Sequence, residues 1–323
     1  MNLLTTSRMK SFRACARQHH YAYVLGRRPR VEANALSFGT AIHHALEAWW
    51  HASRRGESVL EDAIAALPAT LDPFARARAE AMLAGYDVAW SDLGFEALEI
   101  EREFKLPLIN PDTSARSRTW ELAGKVDVIA RGPDGRVWVI EHKTSSEDIS
   151  GGSSYRSRLA LDGQVSQYVE GANALGYDVA GVIYDVLRKP TIDPLKATPI
   201  ESRKYKKDGT LYAAQREHDE SPEEYRDRCI ESLGANPDRH FAQIEVVRLD
   251  ADRDEYAYDV WQLGELMRES ERTGRAPRNS DACHRYGSPC PYFAVCTKAA
   301  RIDDDNLFRT VGASPELSTT KAA

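Results

Sequence analysis

The sequence predicts an α/β fold: a mixed central sheet of four to five strands flanked by helices, with a helical region formed by the N- and C-terminal segments. Three observations predict it. The first is a hairpin pattern between Glu121 and Ser146, where the apolar run Leu122–Ala130 and the run Arg136–Lys143 flank Gly132-Pro133-Asp134-Gly135. In such a turn proline presets one φ angle and glycine supplies a positive one. The second is the alternation of Leu98, Ile100 and Phe104 with Glu99, Glu101 and Glu103, the pattern of a half-buried strand. The third is a pair of further β-branched runs, Ala180–Val186 and Ala242–Leu249, interleaved with helical periodicity over residues 161–175, 222–233 and 252–272.

Taken in order, residues 5–25 read as a cationic helix in which Met9, Phe12, Cys15 and Tyr23 mix with Arg8, Lys10, Arg13 and Arg17. A basic exit follows at Gly26-Arg27-Arg28-Pro29-Arg30. Leu36–Ala52 is a strong helix with Trp49 and Trp50 as core anchors. On it Gly39 and His43 stack on one face, and the glycine leaves the space above the histidine open. Residues 58–92 form an amphipathic helical region broken at Pro68 and Pro73. Ser145–Ser154 reads as a flexible loop, and the next helix places Gln164 and Tyr168 on one face. Residues 191–220 are polar and irregular, with a basic-aromatic knot at Arg203–Lys207. Residues 1–300 read as one domain, and 301–323 as a mobile C-terminal tail.

A chain of 323 residues, 42% hydrophobic and 28% charged, can bury a sizeable core and has the composition of a soluble globular protein. No run approaches the roughly 18–20 apolar residues of a membrane span. The first twenty residues lack the apolar stretch of a signal peptide, so a cytoplasmic location without a membrane partner is expected. The net charge of −6 argues against a generic polyanion binder. Any nucleic-acid contact must use a local basic groove, for which Arg13, Arg17, Arg27 and Arg28 are candidates, with Tyr205 as a stacking platform. Five cysteines, an odd number, disfavour a disulfide framework. Cys229 reads as a buried small hydrophobe, and His19 and His20 as solvated or lying near the other cysteines.

The hairpin carries charges where apolar residues are expected. Asp127 interrupts Val126 and Val128, while Glu141 and Lys143 close the run Val137–Ile140 and project to one face. Unpaired charges at buried strand positions are costly. A solvated strand end or an Asp–Lys ion pair would relieve them, and so would a cation. Two carboxylates on adjacent strands can converge on Mg²⁺, which takes oxygen ligands and keeps positions open for a substrate phosphate. Such an ion activates water and stabilises charge in phosphodiester hydrolysis. Lys143 would orient that water, His43 could add an imidazole and admit Mn²⁺, and Gln164 and Tyr168 would position the site or the DNA backbone.

At this point the residues resemble a known family. Asp127 followed by Glu141-x-Lys143 is similar to the PD-(D/E)xK nuclease superfamily, with Val126 where the family motif has proline. Gly39-x3-His43 and Gln164-x3-Tyr168 resemble companion motifs of its RecB-like branch. Cys15 with Cys283-x6-Cys290-x5-Cys296 resembles the iron–sulfur nucleases of that branch: the AddB nuclease domain, the CRISPR-associated exonuclease and phage relatives. The first gap of the trio is longer here than usual. The resemblance spans residues 5–300 and implies a metal-dependent DNA exonuclease of recombination, repair or phage DNA processing. It implies Mg²⁺ or Mn²⁺ held by His43, Asp127, Glu141 and the backbone carbonyl of His142. It also implies a 4Fe–4S cluster on the four cysteines, DNA strands or duplex ends as partner, and a recombination or helicase protein as a further one. Hydrolysis moves no electrons, so such a cluster would act as a structural staple, and four sulfurs alone do not choose between iron–sulfur and zinc. A catalytically inactive DNA-binding scaffold, a zinc-stapled structural domain and a CRISPR spacer-processing nuclease stay open as alternatives.

Overall fold

The computed structural model describes residues 1–31, 34–285, 288–312 and 314–317. The chain begins with strand β1 (Asn2–Leu4), helices α1 (Thr6–Ala14) and α2 (Ala16–His19), a π-helical turn and strand β2 (Arg27–Pro29). Helices α3 (Asn34–Arg55), α4 (Val59–Ala65) and α5 (Pro73–Trp90) lead into strands β3 (Glu96–Ile109), β4 (Arg116–Arg131) and β5 (Val137–Ser145). Then come α6 (Ser154–Ala160), α7 (Gly163–Ala174), β6 (Val179–Arg188), α8 (Pro222–Ala235), β7 (Phe241–Val246) and α9 (Asp250–Thr273). Short elements β8 (His284–Arg285), β9 (Ser288–Pro289), α10 (Phe293–Cys296) and β10 (Phe308–Thr310) finish the described chain.

Local chemistry sets the boundaries. Asp72 caps α5 by accepting the Phe74 and Ala75 N–H groups, and Pro73 occupies the first turn, where its missing donor costs nothing. The β4–β5 turn closes through the Gly135 N–H on the Gly132 carbonyl at 2.9 Å, with Gly135 at φ 81°. The single helix expected over 5–25 breaks at Cys15, which is extended at φ −164° and separates α1 from α2.

The sheet is mixed and has six strands, the expected set plus the three-residue β1. β3 runs antiparallel to β4 along nearly its whole length. The other edge of β4 is shared: β1 pairs parallel with Trp120–Leu122, and β5 pairs antiparallel with Val128–Arg131. β6 lies parallel to β5, and β7 antiparallel to β6. Trp50, Tyr86, Trp90 and Ile140 centre the core on the α3–α5 face; Val165, Val169, Val139 and Tyr184 centre it under α7. Gly124 on β4 and Gly171 on α7 both abut the Phe104 ring, where a Cβ would lie 2.5 Å from a ring carbon, so α7 seats closely on the sheet.

Two expectations need correction. His19 is buried rather than solvated; it accepts the Arg8 Nε at 3.2 Å and stacks on Tyr23. Burial, aided by Arg8, holds its pKa down to about 3. The stretch from 301 to 312 is not a mobile tail. β10 pairs antiparallel with β2, Phe308 is buried and stacks on Tyr292 at 5.7 Å, and Arg27 binds Asp305 at 2.8 Å and the Ile302 carbonyl. The polar composition suggested disorder, but one aromatic anchor and a countercharge for the aspartates suffice to order it. Residues 313 and 318–323 of that expectation lie outside the described residues. Among the described residues, no helix is long and apolar enough to cross a membrane.

Phe308→Ala should therefore destabilise the protein by about 3–5 kcal/mol, read as a lower denaturant midpoint at unchanged slope. A midpoint equal to wild type would show that β10 contributes nothing to the fold.

Candidate active site

β4 and β5 pair only from Arg131 and Val137 to Val128 and Ile140. Beyond that point β4 turns to β1 while β5 continues along β6, so the two strands part. Asp127 and Glu141 are the first residues past the last pair. Gln167 fills the gap: its amide nitrogen donates to the Leu4 and Ala123 carbonyls at 3.2 and 2.8 Å. Its oxygen accepts the Thr6 and Tyr256 hydroxyls, each at 3.0 Å.

In the opening, Asp127 Oδ2 accepts the His142 backbone N–H at 2.9 Å and lies 3.5 Å from His43 Nδ1. Glu141 Oε1 is bonded by the Lys143 ammonium and by Gln164 Nε2, the latter at 2.7 Å. The same amide reaches the Tyr168 hydroxyl at 2.8 Å. Glu141 Oε2 is buried and, among the described residues, has no partner. Gly39 serves a different purpose from the one expected: a Cβ there would come within 3.3 Å of Thr144 Oγ1, so the glycine lets α3 approach β5. His44 is exposed and turns to Glu47 at 3.6 Å, leaving His43 as the histidine that faces the carboxylates.

Electrostatics follow from this crowding. Burial, then the neighbouring Glu141, pushes the Asp127 carboxyl up to about 8. Burial, with His142 and Lys143 nearby, holds His43 down to about 3, so its imidazole is neutral at ordinary pH. Burial alone would lower the Lys143 ammonium, but the Glu141 and Asp127 carboxylates outweigh it and the net shift is upward. The Tyr168 hydroxyl is driven well up by burial and Glu141, and stays protonated.

His142 was expected to offer its backbone carbonyl. Its N–H holds Asp127, while its side chain leaves by the opposite face, where Nδ1 meets Asp185 Oδ2 at 2.8 Å. Trp90 Nε1 donates to the other Asp185 oxygen at 3.0 Å. Sequence reasoning missed Asp185, Gln167 and Lys10. Asp185 carried the same signal as Asp127, a carboxylate inside a β-branched run, and Gln167 lies one helical turn from Gln164. Lys10 had no signal, since its partners Asp162 (3.0 Å) and Gln164 (3.3 Å) are some 150 residues away.

Cys15, Cys283, Cys290 and Cys296 line one small cavity where the N-terminal helices meet the 279–296 segment. Burial, then the charges of the other thiols, pushes the Cys290 thiol up. The Asn279 N–H points at Cys15 Sγ at 3.4 Å, and the Cys290 N–H donates to the Cys283 carbonyl at 2.7 Å. Among the described residues, no three His, Cys, Asp or Glu side chains are grouped so as to hold a single metal ion. Cys229 is fully buried elsewhere, and the Arg203–Lys207 knot is an exposed loop, apart from half-buried Arg203.

Residues 3–297 match the model of the PD-(D/E)XK nuclease superfamily. The chain belongs to that superfamily. As a nuclease it binds nucleic acid, and the divalent metal that superfamily members use fits a site with two carboxylates and one bare buried oxygen. A search of curated proteins finds no match. Among solved structures, that of SSO0001 is similar at 12% identity and a TM-score of 0.29, over 81% of this chain and 76% of the other, too loose a likeness to carry an argument.

The elevated Asp127 pKa has a consequence for stability. An unfolded aspartate loses its proton near pH 4, so between about pH 4 and the folded value the cation-free nuclease binds more protons than its unfolded chain. The stability this group contributes is complete at low pH and drains as pH rises through about 8. Melts in chelator at about pH 7 and about pH 9 should show a falling midpoint that Mg²⁺ restores. Equal midpoints in chelator would mean that Asp127 is not the strained carboxylate described.

Proposed function

We propose that this nuclease is a divalent-metal-dependent DNA exonuclease of recombination, repair or phage DNA processing, working in the cytoplasm. The observation that carries the metal-dependent part is the divided Glu141 carboxylate. One oxygen is satisfied by Lys143 and Gln164, while the other is buried and, among the described residues, bare. A buried acceptor without a partner is costly, and a hard cation removes that cost. Two carboxylates suffice for Mg²⁺, which fills its remaining positions with water and substrate oxygens. The resemblance adds the neutral His43 imidazole, which admits Mn²⁺, and the His142 carbonyl to the ligand set. As placed here, His43 does not converge with the two carboxylates on one point, so the metal reading rests on the carboxylates.

The bound cation supplies Lewis acidity and positive charge at the scissile phosphate. The residues do the rest. Lys143 keeps its proton, holds the attacking water by donating to it, and offsets phosphate charge. Gln164, braced by Tyr168, fixes the Glu141 rotamer. His142 fixes Asp127 through its backbone N–H. Action at DNA ends rests on the likeness of Gly39/His43 and Gln164/Tyr168 to the RecB-like branch.

For the cysteines we propose a 4Fe–4S staple between the two ends of the domain. The support is that four cysteines from the two ends of the domain line one cavity, together with the likeness to the iron–sulfur nucleases. Four thiolates also suit zinc, so the metal bound is what the experiment decides.

Digestion of end-labelled single- and double-stranded DNA with Mg²⁺ or Mn²⁺ tests the enzyme. Glu141→Ala should abolish cleavage, and Lys143→Ala should slow it by about 10²–10⁴-fold. Equal cutting by wild type and Lys143→Ala in Mn²⁺ would refute the mechanism, and a wild type that binds but never cuts would favour the inactive scaffold. Protein purified anaerobically should be brown and contain iron and sulfide. Cys290→Ser should lose colour and thermal stability before it loses activity, and a colourless zinc-loaded protein would overturn the cluster.

A further inference from the structure

The basic exit marked in the sequence holds one arginine, Arg28, whose side chain the fold engages, among the described residues, only through Tyr23. Arg27 is spent on Asp305, Thr310 and the Ile302 carbonyl, and Arg17 donates to the Ala276 carbonyl. Arg28 lies with its guanidinium 4.2 Å over the Tyr23 ring. Its Nε and Nη2 are buried and, among the described residues, donate to nothing. These two nitrogens form the edge by which a guanidinium grips an oxyanion through two parallel bonds. Ser11 Oγ is likewise buried without a partner.

Both side chains line one pocket. Its walls are a single face of α1 bearing Ser7, Lys10 and Ser11, together with Arg28, Arg285 and Ser288. Three cations and four hydroxyls (Ser7, Ser11, Tyr23 and Ser288) line the space; no described wall residue is acidic, though the Lys10 ammonium pairs with Asp162 at 3.0 Å. Lys10 ties the pocket to the active site: its ammonium reaches Gln164 Oε1 at 3.3 Å, and that amide holds Glu141 at 2.7 Å. One side chain thus separates the pocket from the carboxylates.

We propose that this pocket binds a phosphate of the nucleic-acid strand being cut, gripped by the bare edge of Arg28 and by Ser11 and Lys10. The inference rests on the nuclease reading for the nature of the strand. The same pocket suits a terminal phosphate or an internal phosphodiester, since both present anionic oxygens to donors.

The test is fluorescence anisotropy of single-stranded oligonucleotides in chelator, so that nothing is cut, across a salt series. Arg28→Gln should weaken binding by about tenfold or more, and Lys10→Met should do so as well, with Ser11→Ala smaller. Each lost cation should lower the slope of log Kd against log salt by about one. Oligonucleotides with 5′-phosphate, 3′-phosphate or hydroxyl ends, and one with internal methylphosphonates, separate the sources. Dependence on an end phosphate places a terminus in the pocket; dependence on the methylphosphonate alone places an internal phosphate there. If Arg28→Gln does not fold, Lys10→Met and Arg285→Gln decide by the same criteria. Wild-type affinity and slope in the folded variants overturns the proposal, even if the wild-type protein cleaves DNA. Weakened binding in a protein that never cleaves would uphold the pocket and remove the nuclease reading instead.

Discussion

Asp127 and Glu141 sit side by side, out of water, where β4 and β5 part, and like charges there repel with little solvent to screen them. Much of the surrounding structure follows from holding that pair. Lys143 lies two residues along β5 from Glu141, on the same face, and supplies the countercharge. Gln164 supports one carboxylate and the His142 N–H the other. Even so the balance is incomplete, because Asp127 keeps its proton far above the ordinary range and one Glu141 oxygen remains bare. The protein is folded around a deficit of positive charge at one point.

The parting of the strands has its own cost, since it strips backbone groups of sheet partners. Gln167 meets that cost from α7, one turn from Gln164, so a single helix supports both the charged centre and the gap beside it. On the other side, His142 and Asp185 anchor β5 to the aromatic core through Trp90. Glu141, His142 and Lys143 therefore serve both faces of the sheet in three consecutive residues, two holding the charged cleft and one rooted in the core.

The parts of this arrangement readable in the sequence are those whose signals are local. Pro133-Asp134-Gly135 declares its turn, strand alternation puts Glu141 and Lys143 on one face, and helical spacing puts Gln164 beneath Tyr168. What stayed hidden joins distant segments. Lys10 reaches across to Asp162, and the β2–β10 pairing depends on Phe308 finding Tyr292. At the break Cys15 Sγ accepts the Asn279 N–H, a contact no local pattern encodes. Asp185 could have been found, because an aspartate inside a strand as apolar as its own demands a buried partner.

The pairing of β2 with β10 bears on how the molecule is born. Residues 27–29 leave the ribosome nearly three hundred residues before 308–310, and α1, which carries Lys10, belongs to the same early segment. Until that late strand emerges β2 lacks its partner, and until the residues up to Cys296 have preceded it the cysteine cavity lacks thiols as well. Domains generally complete their folding as units. A nascent chain thus holds its hairpin carboxylates well before β10 can close on β2.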